Sequence, residues 1–123
     1  MNQQHFQAVV ESRIERTLEL LGVKGKEYAR GGDRLSNFKR AASIKRETVE
    51  KAWLGIWSKH LVSILDMIDD VQAGCSPAPF AQWQEKIGDT IVYMILLEAI
   101  EEERQLNAGC CAEQTAPHKG KKK

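Results

Sequence analysis

Two stretches of the chain concentrate side chains able to do chemistry. KHLVSILDMIDD, residues 59–70, sets Lys59, His60, Asp66, Asp69 and Asp70 into an otherwise apolar run, and WQEKIGDTIVYMILL, residues 83–97, carries Glu85 and Asp89 before becoming almost wholly apolar. At about 100° per residue, Lys59, Ser63, Asp66 and Asp70 fall in one strip of a helix. Glu85 and Asp89 share a side with Val92 and Leu96, so this carboxylate pair ends a stripe that asks for burial. Two carboxylates brought together out of water need a cation or a basic partner. Magnesium is the usual cation beside phosphates, because it takes oxygen ligands and keeps several waters. If the two helices pack antiparallel, Asp66 and Asp70 approach Glu85 and Asp89. Asp66, Glu85 and Asp89 are then the candidate magnesium ligands, and Asp66, Asp70, Glu85 and Asp89 the candidate catalytic carboxylates, with Asp70 orienting water. His60 projects between Trp53, Ile64 and Met67 and reads as a half-buried structural residue. A plainer account makes the strip a solvated charged face and ties Glu85 to an arginine.

The phosphates such a metal would accompany have candidate partners nearby. Between Lys24 and Arg46, eight lysines and arginines stand against only Glu27 and Asp33, a surplus that attracts anions wherever the fold concentrates it. Lys26, Arg34, Asn37, Lys39 and Lys59 are the candidate phosphate contacts.

The elements that must position these groups are helical, since apolar residues recur at three and four and no segment alternates over strand length. Phe6, Val10, Ile14, Thr17 and Leu21 predict a first helix from about Gln4 to Leu21, stopped by Gly22, with Glu11, Glu15 and Glu19 facing outward. A basic loop, VKGKEYARGGD, leads to a short helix, RLSNFKRAAS, capped by Asp33. A third helix runs from near Arg46 to Val71 with Trp53, Trp57, Leu61, Ile64, Leu65 and Ile68 as its core stripe. After the Ser-Pro loop, a fourth runs from Phe80 to Arg104. Its stretch from Ile91 to Ile100 is apolar nearly all round, as in a helix surrounded by others. The expectation is an all-α, compact helical bundle of about four helices. Residues 1–104 form its single domain, and 105–123 a disordered basic tail able to touch nucleic acid only weakly.

Length and composition agree. A chain of 123 residues with 42% hydrophobic and 28% charged residues supports one globular core. No run of about 18 apolar residues occurs and the opening lacks a signal-peptide pattern, so neither membrane spanning nor secretion is expected. Cys75, Cys110 and Cys111 form no CxxC, which suits a reducing cytoplasm. An all-round apolar helix in so small a bundle also points to a homo-oligomer.

Three segments then look familiar: EYARGGDRLSNFKRAAS, KAWLGIWSKHLVSILDMIDD and WQEKIGDTIVYMILLEAIEEE. Over residues 23–103 the chain resembles the phage nucleotide-modification-associated domains, relatives of the MazG-like all-α nucleoside triphosphate pyrophosphohydrolases. The resemblance implies an often oligomeric helical bundle in which acidic side chains hold magnesium and the metal binds a nucleoside triphosphate. In catalytic relatives, water attacks a phosphorus and pyrophosphate leaves. Glu85 and Asp89 match the second acidic motif of that family, with a spacing of four in place of its ExxD, whereas the EExxE motif on an earlier helix is absent. The resemblance therefore implies a magnesium-dependent pyrophosphohydrolase. The alternatives are a non-catalytic nucleotide-binding module, a host-defence signalling nucleotide being one candidate ligand, and an adaptor using the tryptophan-bearing helix.

Overall fold

The computed structural model describes residues 1–28 and 30–115, which form four helices: α1 (Gln3–Tyr28), α2 (Ser36–Lys45), α3 (Val49–Gln72) and α4 (Phe80–Thr115). They pack as the expected all-α bundle. α3 lies against α4 across the loop containing Pro77 and Pro79, α2 covers α3, and α1 lies on α4. No described helix is long and apolar enough to cross a membrane.

The core forms where α2, α3 and α4 meet. Leu35, Phe38, Trp53, Val92, Leu96 and Ile100 are buried together, with Leu20 and Leu21 of α1 and Trp57 of α3 packed around them. Phe38, 1% exposed, meets the Tyr93 ring edge-on at 6.3 Å between centroids. Burying one such side chain contributes on the order of 1.5–3 kcal/mol. The α3–α4 register is set by two contacts. The Trp53 indole N–H donates to the Tyr93 carbonyl at 2.8 Å, and His60 Nδ1 lies 3.6 Å from Asp89 Oδ2. The two helices are therefore antiparallel, with the 50s beside the 90s and residue 60 beside residue 89.

Several helix ends differ from expectation. α1 runs through Gly22, which has ordinary helical torsions; the left-handed glycines that turn the chain are Gly31 and Gly32 (φ 62° and 80°). Asp33 caps no helix end directly. Its Oδ1 accepts from the Leu35 N–H at 2.9 Å, tightening the turn ahead of α2. α2 ends on left-handed Arg46, beyond which the Glu47 N–H bonds the Ala42 carbonyl, a Schellman-type stop. α3 starts at Val49, and the Thr48 hydroxyl accepts from the Lys51 N–H. α4 continues to Thr115, so residues 105–115 are helical where a disordered tail was expected; the terminal lysines lie outside the described residues.

Two apolar faces also differ. The buried positions of α3 are Ala52, Trp53 and Met67, while Leu65 and Ile68 of the expected core stripe are exposed. On α4, Val92, Leu96 and Ile100 are buried, but Met94 and Ile95 are exposed, so α4 is covered on one side and not surrounded.

Candidate functional site

A cavity of about 240 Å³ opens beside the core and is lined by Arg34, Asn37, Lys59 and Asp89, with Ile56 and Tyr93 among its less polar walls. The turn at Gly31 and Gly32 brings the chain into α2. Asp33 fixes that turn by accepting from Lys39 Nζ at 2.7 Å as well as from Leu35. Leu35 and Phe38 are buried, and the residues next to them, Arg34 and Asn37, line the cavity. Lys59 follows Ile56 by three positions on α3, and Asp89 precedes Val92 and Tyr93 by three and four on α4; such spacings keep residues on one helix face.

The electrostatics separate groups already neutralised from groups still available. Lys39 lies 2.7 Å from Asp33 and 2.8 Å from Glu103, and these bonds raise its pKa while that of Asp33 is lowered, chiefly by Lys39 and then by the Leu35 N–H. Arg34 and Lys59 have no carboxylate partner among the described residues. The buried Asn37 Oδ1 accepts no hydrogen bond there either. A buried acceptor left unpaired costs about 1–3 kcal/mol, so the position favours a ligand bearing N–H or O–H groups. The His60–Asp89 separation exceeds a hydrogen bond, and the His60 ring also leans on Tyr93, 5.2 Å between centroids.

Leu20 and Asp89 form a divide shared with a shallower groove of about 560 Å³, where Arg13, Arg16, Glu19 and Glu85 also stand. Arg13 Nη2 donates to the Gln84 carbonyl at 2.9 Å, and its guanidinium occupies the space beside Gly88. Burial, followed by the charge of Arg16, lowers the Arg13 pKa. Arg16 Nε is buried and has no hydrogen-bond partner among the described residues.

Four of the sequence candidates thus come together in the cavity: Arg34, Asn37, Lys59 and Asp89. Glu85 joins Asp89 in the groove. Asp66 and Asp70 line neither space and are exposed. Antiparallel packing puts Asp89 level with His60, so Asp66 lies six residues, about 9 Å, further along α3. Asp66, Glu85 and Asp89 consequently do not converge, and among the described residues no group of three His, Cys, Asp or Glu side chains is arranged to hold a metal ion. Lys39 is withdrawn from phosphate binding by its two carboxylates. Lys26 lies apart, in an open hollow with Glu19 and Val23. Glu19, expected to face outward, lines the groove, and His60 is the Asp89 neighbour that sequence placed only among apolar residues. Arg13 and Arg16 were legible in principle, since they share a face with buried Thr17 and Leu20. No protein-family model, curated protein or solved structure matches the chain.

Proposed function

We propose that the chain binds a nucleotide, with a phosphate between Arg34 and Lys59 and a hydroxyl or base N–H directed at Asn37. The observation that carries this reading is one cavity holding two cations that have no carboxylate partner among the described residues, beside a buried amide oxygen that has no donor among them. Cations alone would suit any anion. An adjacent unmet acceptor suits a molecule that offers donors as well, as a nucleoside phosphate does. At about 240 Å³ the cavity is smaller than the ~300–1,000 Å³ of whole-ligand pockets, so it takes part of the molecule and the groove beyond Asp89 has room for the rest.

Hydrolysis to a monophosphate and pyrophosphate is the second reading, favoured by Glu19, Glu85 and Asp89 lining one groove. A magnesium ion held by protein ligands alone does not fit the residues as they stand, so binding is the function the geometry supports better.

The test is a thermal melt with canonical and modified nucleoside triphosphates plus magnesium, followed by analysis of the recovered nucleotide. Binding at 100-fold over Kd adds about 2.7 kcal/mol, which raises the Tm by several degrees. Arg34→Met and Lys59→Met should each weaken the affinity at least about tenfold, the loss of one charge-assisted contact. Nucleotide recovered intact supports the binding reading; monophosphate and pyrophosphate that vanish in Asp89→Asn support the second. No shift with any nucleotide overturns both.

A further inference from the structure

The groove beyond Asp89 carries charges that the fold does not pair with one another. It lies between one face of α1, with Arg13, Arg16 and Leu20, and one face of α4, with Ala81, Glu85 and Asp89. Three carboxylates, those of Glu19, Glu85 and Asp89, stand there with two guanidiniums. No ion pair joins any of these five among the described residues.

Arg13 is committed to the fold, since its Nη2 donates to the Gln84 carbonyl and its Nη1 fills the space beside Gly88. Arg16 is not. Its Nη1 donates to the Ser12 hydroxyl, which holds the guanidinium plane, while Nε is buried and has no partner among the described residues. The Nε–Nη2 edge of Arg16 therefore offers two parallel donors that no described residue receives. On α4, Asp89 is the most enclosed of the three carboxylates, with 13% of its side chain exposed, whereas Glu19 and Glu85 are exposed.

These groups restrict what the groove can take. A second phosphate suits it poorly, because three carboxylates outnumber two guanidiniums and repel an anion. A neutral group with donors and acceptors side by side matches it. Of the four common bases, guanine sets two acceptors, O6 and N7, on one edge and two donors, N1–H and N2–H, on the adjoining one. An arginine fork pairs with O6 and N7, and a carboxylate accepts from N1–H and N2–H together. Adenine instead turns its N6 amino group toward the arginine, uracil has a single N–H for the carboxylate, and cytosine a single amino group. Leu20, Val23 and Ala81 supply apolar contact for the ring faces, and about 560 Å³ admits a two-ring base.

The span fits as well. Arg34 of the phosphate site lies against Gly25 of α1, where an added Cβ would come within 3.3 Å of its Nε. Gly25 stands nine residues beyond Arg16, about 13 Å along the helix. A nucleotide covers such a length between its phosphates and the far edge of its base. Leu20 and Asp89 line both the cavity and the groove, so the two adjoin.

We propose that the groove between α1 and α4 reads guanine, with Arg16 donating to O6 and N7 and Asp89 accepting from N1–H and N2–H, so that the ligand is a guanine nucleotide. This rests on the nucleotide reading, with phosphate at Arg34 and Lys59 and a ribose hydroxyl at Asn37.

The test is calorimetric titration of the full chain with nucleoside triphosphates in EDTA, which withholds magnesium. GTP is expected to bind at least about tenfold more tightly than ATP, CTP or UTP, the discrimination of one bidentate base contact. ITP, which lacks the N2 amino group, and 7-deaza-GTP, which lacks N7, should each bind about five- to tenfold more weakly than GTP. Asp89→Asn puts an amide N–H where the carboxylate had an oxygen, so it should move the preference from GTP to XTP, whose O2 replaces N2–H. A merely structural loss would weaken the two alike. In Arg16→Met, GTP and 7-deaza-GTP should bind equally, since the donor to N7 is gone. If either variant fails to fold, the wild-type series decides. Equal affinity for the four common triphosphates, preference for another base, or no difference among GTP, ITP and 7-deaza-GTP overturns the guanine assignment and leaves the nucleotide reading in place; binding of none overturns both.

Discussion

Asp89 is the residue at which the two stretches read from the sequence meet, and it shows what residue identity alone conveys. Its spacing from Val92 and Leu96 announces a carboxylate at the edge of a buried stripe, and the structure places it there, lining both the cavity and the groove. Its neighbour was not legible, because which α3 residue stands opposite Asp89 depends on helix register, and there His60 is found in place of Asp66. Gly88, one position earlier, is a second case of context outweighing type. In a helix interior Gly→Ala ordinarily gains about 0.5–1 kcal/mol. Here the added Cβ would lie 2.7 Å from Arg13 Nη1, the far end of a flexible side chain whose Nη2 donates to the Gln84 carbonyl, so the guanidinium must shift and weaken that bond, a charge-assisted one of about 1.5–3 kcal/mol when intact. Gly88→Ala is therefore expected to show none of the usual helix gain in urea titration, and a variant more stable than wild type by that full gain would show that Arg13 contributes nothing at this contact.

Helices were legible as elements because their apolar periodicity survives in the sequence, whereas ends and facing directions depend on neighbours. Gly22 illustrates the first point. A glycine after an apolar repeat reads as a stop, but no heavy atom lies within 4 Å of where its Cβ would be and the helix runs on to Tyr28. Gly22→Ala should accordingly stabilise the chain by about 0.5–1 kcal/mol, the helix-propensity difference, with no opposing contact. The start of α3 depends on one side chain, so Thr48→Ala should cost about 1 kcal/mol by removing the acceptor for the Lys51 N–H. Thermal melts of the two variants should move in opposite directions. Facing direction is subtler. Trp53 lies at the margin of two apolar arcs on α3, one toward α2 and α4 and one toward solvent, and periodicity by itself does not rank them. Small Ala52 and flexible Met67, which carry the true core side, are weak signals in a sequence.

At the scale of the whole molecule, polar ties clamp the bundle at the end remote from Asp66. Arg104 of α4 holds Glu50 of α3, whose carboxyl is pushed from its ordinary 4.5 down to about 2, first by Arg104 and then by Glu101. The same contact with Glu50 raises the Glu101 pKa. Asp33, held by Lys39, is likewise lowered. A carboxyl whose folded pKa lies below its unfolded value binds fewer protons when folded. It therefore stabilises the fold fully above the unfolded pKa and loses that contribution as pH falls toward the folded one. Raised Glu101 acts in the opposite sense, but above its ordinary 4.5 and so outside the window in which Glu50 loses its contribution. The Tm should hold near neutrality and fall between about pH 4.5 and 2, and Arg104→Gln should flatten the part of that fall due to Glu50. A Tm rising with acidification through this window would contradict the sign. None of these ties was visible in the sequence, where Glu50 and Arg104 are more than fifty positions apart and equally charged neighbours abound. The stacked indoles of Trp53 and Trp57, 5.2 Å between centroids and 17° from parallel, give the protein an optical consequence of its packing. Two such chromophores share their excitation, so the near-parallel pair imprints a coupled ultraviolet signal on α3 that Trp83, standing elsewhere, does not produce. Because one indole of the pair is buried in the core and the other packs half-buried at its edge, the same light reports on how tightly the core is closed.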